Sequence, residues 1–447
     1  MLTVHEPPAG RNDLPRPTTR KDFPPLPSFA RQPGDQISAQ VLATSGVFGF
    51  LASCWLANRL GVSSEAGIVA LCLSGTAFPL VVLSLLILKV HLRSTTGIRT
   101  TKQRPLDWLR VGTKLLGLCA TFVPLGVCYW LIPEYSRPFY APVWEMLTWV
   151  ACPAGVLAVA YFAWMDRRMA EPHDMYWKLG GWCLGRQPSI EPTGFRQFVL
   201  GWVVKGFFLP LMLAGAAENL PVLVRDGFGF ASFALLYTSA VVLIYSLDVT
   251  YGALGYLFTF RVLDAHIRSV EPTGVGWMSA IICYVPFSTF VWGTFLKYKG
   301  AIEWNEWLAE MPILYVTWGC AILFLLVIYV WATVSFGCRF SNLTNRGIIT
   351  DGPYRLVRHP AYLAKNIAWW LMYVPFAAHL DWQSAIKGCI CLALTNLIYV
   401  IRSKTEERHL MADPAYRAYC EWIERNGAVA QFRSLFRPKQ RGGTVES

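Results

Sequence analysis

Runs of about 20 apolar residues, each long enough to cross a bilayer as a helix, recur along the chain. They fall at roughly 41–60, 67–88, 112–132, 146–165, 198–217, 229–247, 276–296, 312–335, 366–380 and 385–401. Backbone polar groups must be satisfied internally inside lipid, so the pattern predicts helices in each run. The expected fold is therefore all-α: a polytopic membrane protein with about ten transmembrane helices. Lys205 interrupts the fifth run, and the ninth is short for a full crossing. Residues 1–38 hold eight prolines and no apolar periodicity, which reads as a disordered Pro-rich cytosolic tail and not as a signal peptide. Residues 436–447 read as a basic flexible tail.

Composition agrees with this picture. The chain is 54% hydrophobic and only 15% charged, against about 25% charged in a soluble domain. Many of its 19 Trp and 19 Tyr lie near the ends of apolar runs, where rings with one apolar and one wet side form interfacial belts. Most of the 12 cysteines lie inside apolar runs, where cysteine behaves as a small hydrophobe. No zinc-ligand spacing appears, so no metal is expected.

The net charge of +12 does not point to nucleic acid, because the basic residues are dispersed into short loops. Sorting those loops by side separates them sharply. Arg11, Arg16, Arg20, Lys21 and Arg31 fall with Lys89, Arg93, Arg99, Arg104 and Arg110, with Arg167, Arg168, Lys178, Arg186 and Arg196, with Arg261 and Arg268, and with the 337–365 segment and the C-terminal tail. Of the 40 Lys and Arg, the opposite side holds only Arg59, Arg137, Arg225, Lys297, Lys299 and Lys387, while Lys205 lies within a span. This asymmetry puts both termini in the cytosol and supports an even number of spans. Lys205 and Asp248 are ionisable residues near span interiors and are candidates for lining a substrate cavity.

Candidate chemistry concentrates after the eighth run. Residues Thr350 to Tyr362 combine an Asp351-Gly352-Pro353 turn with Tyr354, Arg358, His359 and Pro360. Gly352 supplies unusual backbone angles. Pro360 suits the first turn of a helix, where its missing N–H costs nothing. Tyr362, Leu363 and Asn366 follow His359 at helical spacing on its face. Free amides at that helix start, beside Arg358, suit a carboxylate or phosphate. A second cluster, Arg402 to Leu410, lies where the tenth run leaves the membrane. Arg402 and Glu406 stand one turn apart, a spacing that permits them to pair. Glu406 and Glu407 point about 100° apart and should serve different partners. Cationic donors near carboxylate acceptors fit a zwitterionic ligand with an amino acid end.

The pattern Gly352-Pro353-Tyr354, Arg358-His359-Pro360 and Tyr362, followed by Glu406-Glu407, Pro414, Tyr416 and Tyr419, resembles the isoprenylcysteine carboxyl methyltransferase family. Phosphatidylethanolamine N-methyltransferases are similar too. The resemblance covers roughly 312–435 and implies an integral membrane methyltransferase that uses S-adenosylmethionine at the cytosolic face. Its acceptor would be a membrane lipid or lipidic small molecule presenting a carboxylate, amine or thiol. Tyr354, Arg358, His359, Pro360, Tyr362, Asn366, Glu406 and Glu407 then become cofactor-binding residues, and Arg402 and Glu407 the catalytic pair at the acceptor end. Where relatives carry glycine after His-Pro-x-Tyr-x, this chain has Ala364 and then Lys365, a methyl expected to narrow the pocket and an amine able to contact an anion. The remaining 39–311 forms an N-terminal bundle of about seven helices, expected to serve as a substrate chamber or partner surface. A bacterial inner membrane is the expected home, in preference to the endoplasmic reticulum. Two other readings stay open: an NADPH-dependent sterol-type reductase, and a transporter or channel in which the motifs only cap a hairpin.

Overall fold

The computed structural model describes residues 39–99, 103–291, 303–377 and 382–435. The two expected tails, 1–38 and 436–447, lie outside the described residues, as do the ends of the seventh and ninth apolar runs. The described chain is all-α apart from one two-residue strand pair. In order the helices are α1 (Ala39–Arg59), α2 (Glu65–Val82), α3 (Trp108–Leu131), α4 (Ala141–Asp166), α5 (Met175–Cys183), α6 (Pro192–Asp226), α7 (Phe233–Leu257), α8 (Gly274–Ile281) and α9 (Phe287–Val291). There follow α10 (Trp304–Trp307), α11 (Pro312–Val334), α12 (Pro360–Tyr373), α13 (Trp382–Leu410), α14 (Pro414–Asn426) and α15 (Ala428–Leu435). Polar residues at the loop boundaries start several of them: the side chains of Ser64, Asp107, Asp174, Glu191, Ser232 and Thr273 each accept from an amide of the first turn.

Eight helices among the described residues are long and apolar enough to cross a membrane, against the ten expected. The other two depart for local reasons. The seventh run is broken: α8 ends at Ile281, a turn carries the chain past Pro286, and α9 resumes at Phe287. Proline has no N–H to carry a helical ladder across that turn. The ninth is α12, which begins at Pro360 and ends at Tyr373, where Val374 takes a φ of 38°. Fourteen residues rise about 21 Å, short of the ~30 Å hydrocarbon core.

One hydrophobic core runs through the bundle, joining Phe50 and Val69 to Phe208, Leu254, Leu326 and Ala368. Helices approach closely where side chains are absent. A Cβ on Gly49 of α1 would lie 2.2 Å from the Gly75 carbonyl of α2, and one on Gly180 of α5 would lie 1.7 Å from the Thr113 carbonyl of α3.

At the end of the bundle that carries most loop arginines, the loops interlock. Arg99 N donates to the Arg168 carbonyl at 2.7 Å, Thr95 Oγ1 donates to Asp264 at 2.8 Å, and Arg93 and Arg268 pair with the same buried carboxylate. Strand β1 (Ser269–Val270) pairs antiparallel with β2 (Thr344–Asn345), in register Ser269 with Asn345 and Val270 with Thr344. Arg346 follows β2 directly and is buried. Its guanidinium donates to the carbonyls of Gly255, Phe258, Ala265, Cys338 and Phe340 at 2.6–3.2 Å. That fork fixes the 338–346 loop to the exit of α7.

Candidate active site

The two motif segments converge at this loop-rich end. Gly352 takes a φ of 64° in the single turn Gly352–Arg355, the left-handed region that glycine enters without penalty. Helix α14 braces the turn from behind: Tyr419 OH donates to the Tyr354 carbonyl at 2.7 Å, and Ala428 N, at the start of α15, donates to the Leu356 carbonyl at 2.8 Å. The chain then enters α12 with His359 as N-cap and Pro360 in the first turn, and no side chain caps the helix start.

The ring of His359 lies parallel to that of Tyr362, centroids 5.5 Å apart. Tyr362 OH donates to Glu406 Oε2 at 2.9 Å. His359 Nε2 lies 3.2 Å from Glu407 Oε1, Arg358 approaches the same oxygen at 3.6 Å, and Lys404 Nζ donates to the other at 2.9 Å. The two glutamates thus serve different partners, as their helical phase requires. Arg358 also pairs with Glu424 on α14. Burial opposes its charge, but the Glu424 bond and the nearby Glu407 outweigh this and hold its pKa above the ordinary value.

Arg402 does not pair with Glu406. It is buried, donates to Asn342 Oδ1 at 2.5 Å, and its guanidinium lies 5.2–5.9 Å from the rings of Tyr362, Tyr284 and Tyr399. Tyr362 takes the place beside Glu406 that the sequence spacing offered to Arg402.

These groups wall one end of a cavity of about 510 Å³. Tyr354, Arg358, His359, Tyr362, Arg402 and Glu406 line it. It continues past Asp248 of α7 and Lys365 of α12 to Leu211, Met212 and Gly215 of α6, and reaches Glu218 and Arg137 toward the opposite face. Tyr284, in the break between α8 and α9, also lines it.

Four expected residues stand elsewhere. Pro360 is buried at the helix start and is absent from the lining. Glu407 touches lining residues but is not itself part of the wall. Asn366 turns away: its Nδ2 donates to the Tyr362 carbonyl at 2.8 Å, and Asn396 of α13, with its amide turned to satisfy both its groups, donates to its Oδ1 at 3.2 Å. Ala364 packs into the core, so its methyl does not narrow the cavity. Of the two charges flagged inside spans, Asp248 lines the cavity and Lys205 does not. Lys205 Nζ sits 3.3 Å from the ring centroid of Trp202.

Several wall residues carry no sequence signal of their own. Tyr284, Tyr329, Thr333, Asn342 and Tyr399 lie in or beside apolar runs, where a tyrosine or threonine is unexceptional. Only Asp248 hinted at them, since a carboxylate at that depth needs donors.

No curated protein and no solved structure matches the chain. The stretch from α11 to just beyond α13, residues 313–412, matches the model of the Isoprenylcysteine carboxyl methyltransferase (ICMT) family. That stretch contains every residue of the two motif segments expected at the site, and in this C-terminal part the chain carries a module of that family, which supports a membrane methyltransferase.

Proposed function

We propose that the chain transfers a methyl group from S-adenosylmethionine to a membrane-embedded acceptor bearing a carboxylate, amine or thiol. The observation that carries this reading is the continuity of one cavity, from a rim of Arg358, His359 and Glu406 to an apolar wall at Leu211 and Met212. A soluble, charged cofactor suits the first end, and a hydrocarbon chain suits the second.

The residues present fit that cofactor. Its amino acid end is zwitterionic and finds both signs at the rim, Glu406 against Arg358. The uncapped start of α12 offers amides to a carboxylate. The cationic sulfonium suits the tyrosine face of Tyr354. When bound, the cofactor supplies an electrophilic methyl group.

The work of the chain is alignment. Arg402, fixed by Asn342 and three tyrosine rings, holds an anionic group of the acceptor. Glu407 positions His359 and Arg358 from behind. The α6 and α7 walls give the N-terminal bundle the role of acceptor chamber, and the cofactor enters from the arginine-rich face, the cytosolic one by the charge rule.

Titration of purified protein with S-adenosylmethionine tests the cofactor end. Saturable binding is expected for the native chain and its loss, by at least about 100-fold, for His359→Ala combined with Glu406→Ala, since each removes a charge-capable contact of roughly 1.5–3 kcal/mol. Undiminished binding in the double variant overturns the assignment.

A further inference from the structure

Deep in the cavity, away from the Arg358–Glu406 rim, an acid and an amine share a wall without meeting. Asp248 accepts from Tyr329 OH at 2.5 Å and from Thr333 Oγ1 at 2.7 Å. Lys365 Nζ lies 5.0 Å from the centroid of that same Tyr329 ring. Both residues line the cavity. Among the described residues no ion pair joins them, and neither makes one elsewhere. Lys365 makes ring contacts with Tyr329 and Trp369 but no hydrogen bond among the described residues.

Such an arrangement is costly in the apolar interior of a bundle. A charge there is normally paired or hydrogen-bonded to capacity, and intramembrane ionisable groups mark sites of function. The hydroxyls of Tyr329 and Thr333 satisfy one lone pair on each oxygen of Asp248 and leave the others free, while an amine offers three donors. The wall therefore presents one set of acceptors and one set of donors on either side of a single tyrosine. A bare hydrocarbon chain leaves both unmet. A group that accepts from Lys365 and donates to Asp248 satisfies both.

The geometry points to a second polar subsite for the acceptor, formed by Asp248, Tyr329, Thr333 and Lys365. It takes a hydroxyl or secondary amide carried on the acceptor's chain, set apart from the methyl-accepting group beside Arg402. This inference rests on the methyltransferase reading for the word acceptor, but the subsite itself needs no cofactor. It makes the acceptor class an acidic amphiphile with a polar group along its chain.

Stearic acid, a panel of monohydroxystearic acids differing in hydroxyl position, and N-stearoylglycine test it. The readout is the concentration giving half-maximal thermal stabilisation of the detergent-purified full chain, without cofactor. At least one hydroxylated or amide-bearing acid is expected to act at a concentration at least tenfold lower than stearic acid. That advantage should fall below about threefold in Lys365→Met and in Asp248→Asn, both close to isosteric. Where Asp248→Asn does not fold, Tyr329→Phe removes a donor to the same carboxylate and should shrink the advantage likewise. Equal action of all ligands on the native chain, or an advantage that survives these replacements, overturns the proposal. S-adenosylmethionine binding is measured on the same variants and should be unchanged. Its absence from the native chain would sink the methyltransferase reading alone, leaving the ligand comparison to decide the subsite.

Discussion

The Glu407 carboxylate gathers three cation-capable groups: His359 at 3.2 Å and Arg358 at 3.6 Å on one oxygen, and Lys404 at 2.9 Å on the other. Two of those three line the cavity, and Glu407 does not. A residue so placed acts by holding others. Glu407→Gln keeps an acceptor for one neighbour but removes the charge that binds all three. In steady-state methylation, KM for S-adenosylmethionine is expected to rise about three- to tenfold, the equivalent of roughly 0.7–1.4 kcal/mol, with kcat changed less than about twofold. A fall in kcat of more than tenfold at unchanged KM would mean that Glu407 touches the reacting atoms, the catalytic role its motif suggested. Glu406 differs because Tyr362 alone among the described side chains occupies it, which leaves carboxylate lone pairs open toward the cavity.

At the scale of elements, the 335–359 connection between α11 and α12 is the least regular part of the site and the most heavily tied. Arg346 carries much of this, with five carbonyl acceptors and no carboxylate among its hydrogen-bond partners. Arg346→Met leaves those carbonyls without their donor in a buried place. A loss of roughly 3–5 kcal/mol is expected, the cost of breaking a buried charged network, seen as a lowered unfolding midpoint in detergent. An unchanged midpoint would show that water replaces the fork at no cost. The long helices around this connection were legible from apolar run length alone. Proline placement also read correctly at Pro360, which opens α12. The breaks were less legible, because a run count treats Cys283-Tyr284-Val285-Pro286 as four tolerable residues, whereas the chain leaves α8 at Ile281 and the turn before Pro286 gives Tyr284 a place on the cavity wall. The motif residues were legible because polar side chains stand out beside apolar runs. Asn342, Tyr329 and Thr333 were not, because their roles depend on which helices become neighbours. The Arg402–Glu406 pair does not form for a related reason: one turn of spacing permits a pair, but a tyrosine from α12 and an asparagine from the 338–346 loop arrive from outside the helix and compete for it.

For the molecule as a whole, the contacts between loops give the charge asymmetry a physical test. Loops grouped by their arginines touch one another: 93–99 meets 168 and 264, Ser269–Val270 pairs with Thr344–Asn345, Asn345 meets Asp413, and Arg408 donates to Thr273. The sparsely charged loops meet at the other end, where Arg225 donates to the Ser63 carbonyl at 2.9 Å and Asn58 to the Val224 carbonyl at 2.7 Å. Reversing any one of these loops across the bilayer would break contacts on both faces, so the bundle must insert with all loops of a group on the same side. The excess of lysine and arginine predicts that this side is the cytosolic one. Single cysteines introduced into a cysteine-free background test both statements together. Gln187→Cys, in the exposed loop between α5 and α6, and Ala231→Cys, in the exposed loop between α6 and α7, stand on opposite groups. A membrane-impermeant maleimide applied to intact cells should label Ala231→Cys directly and Gln187→Cys only after permeabilisation. The reverse pattern would put the Arg358–Glu406 rim away from the cytosol and remove its supply of a soluble cofactor. Labelling of both from outside would mean that the two groups of loops do not lie on opposite faces at all.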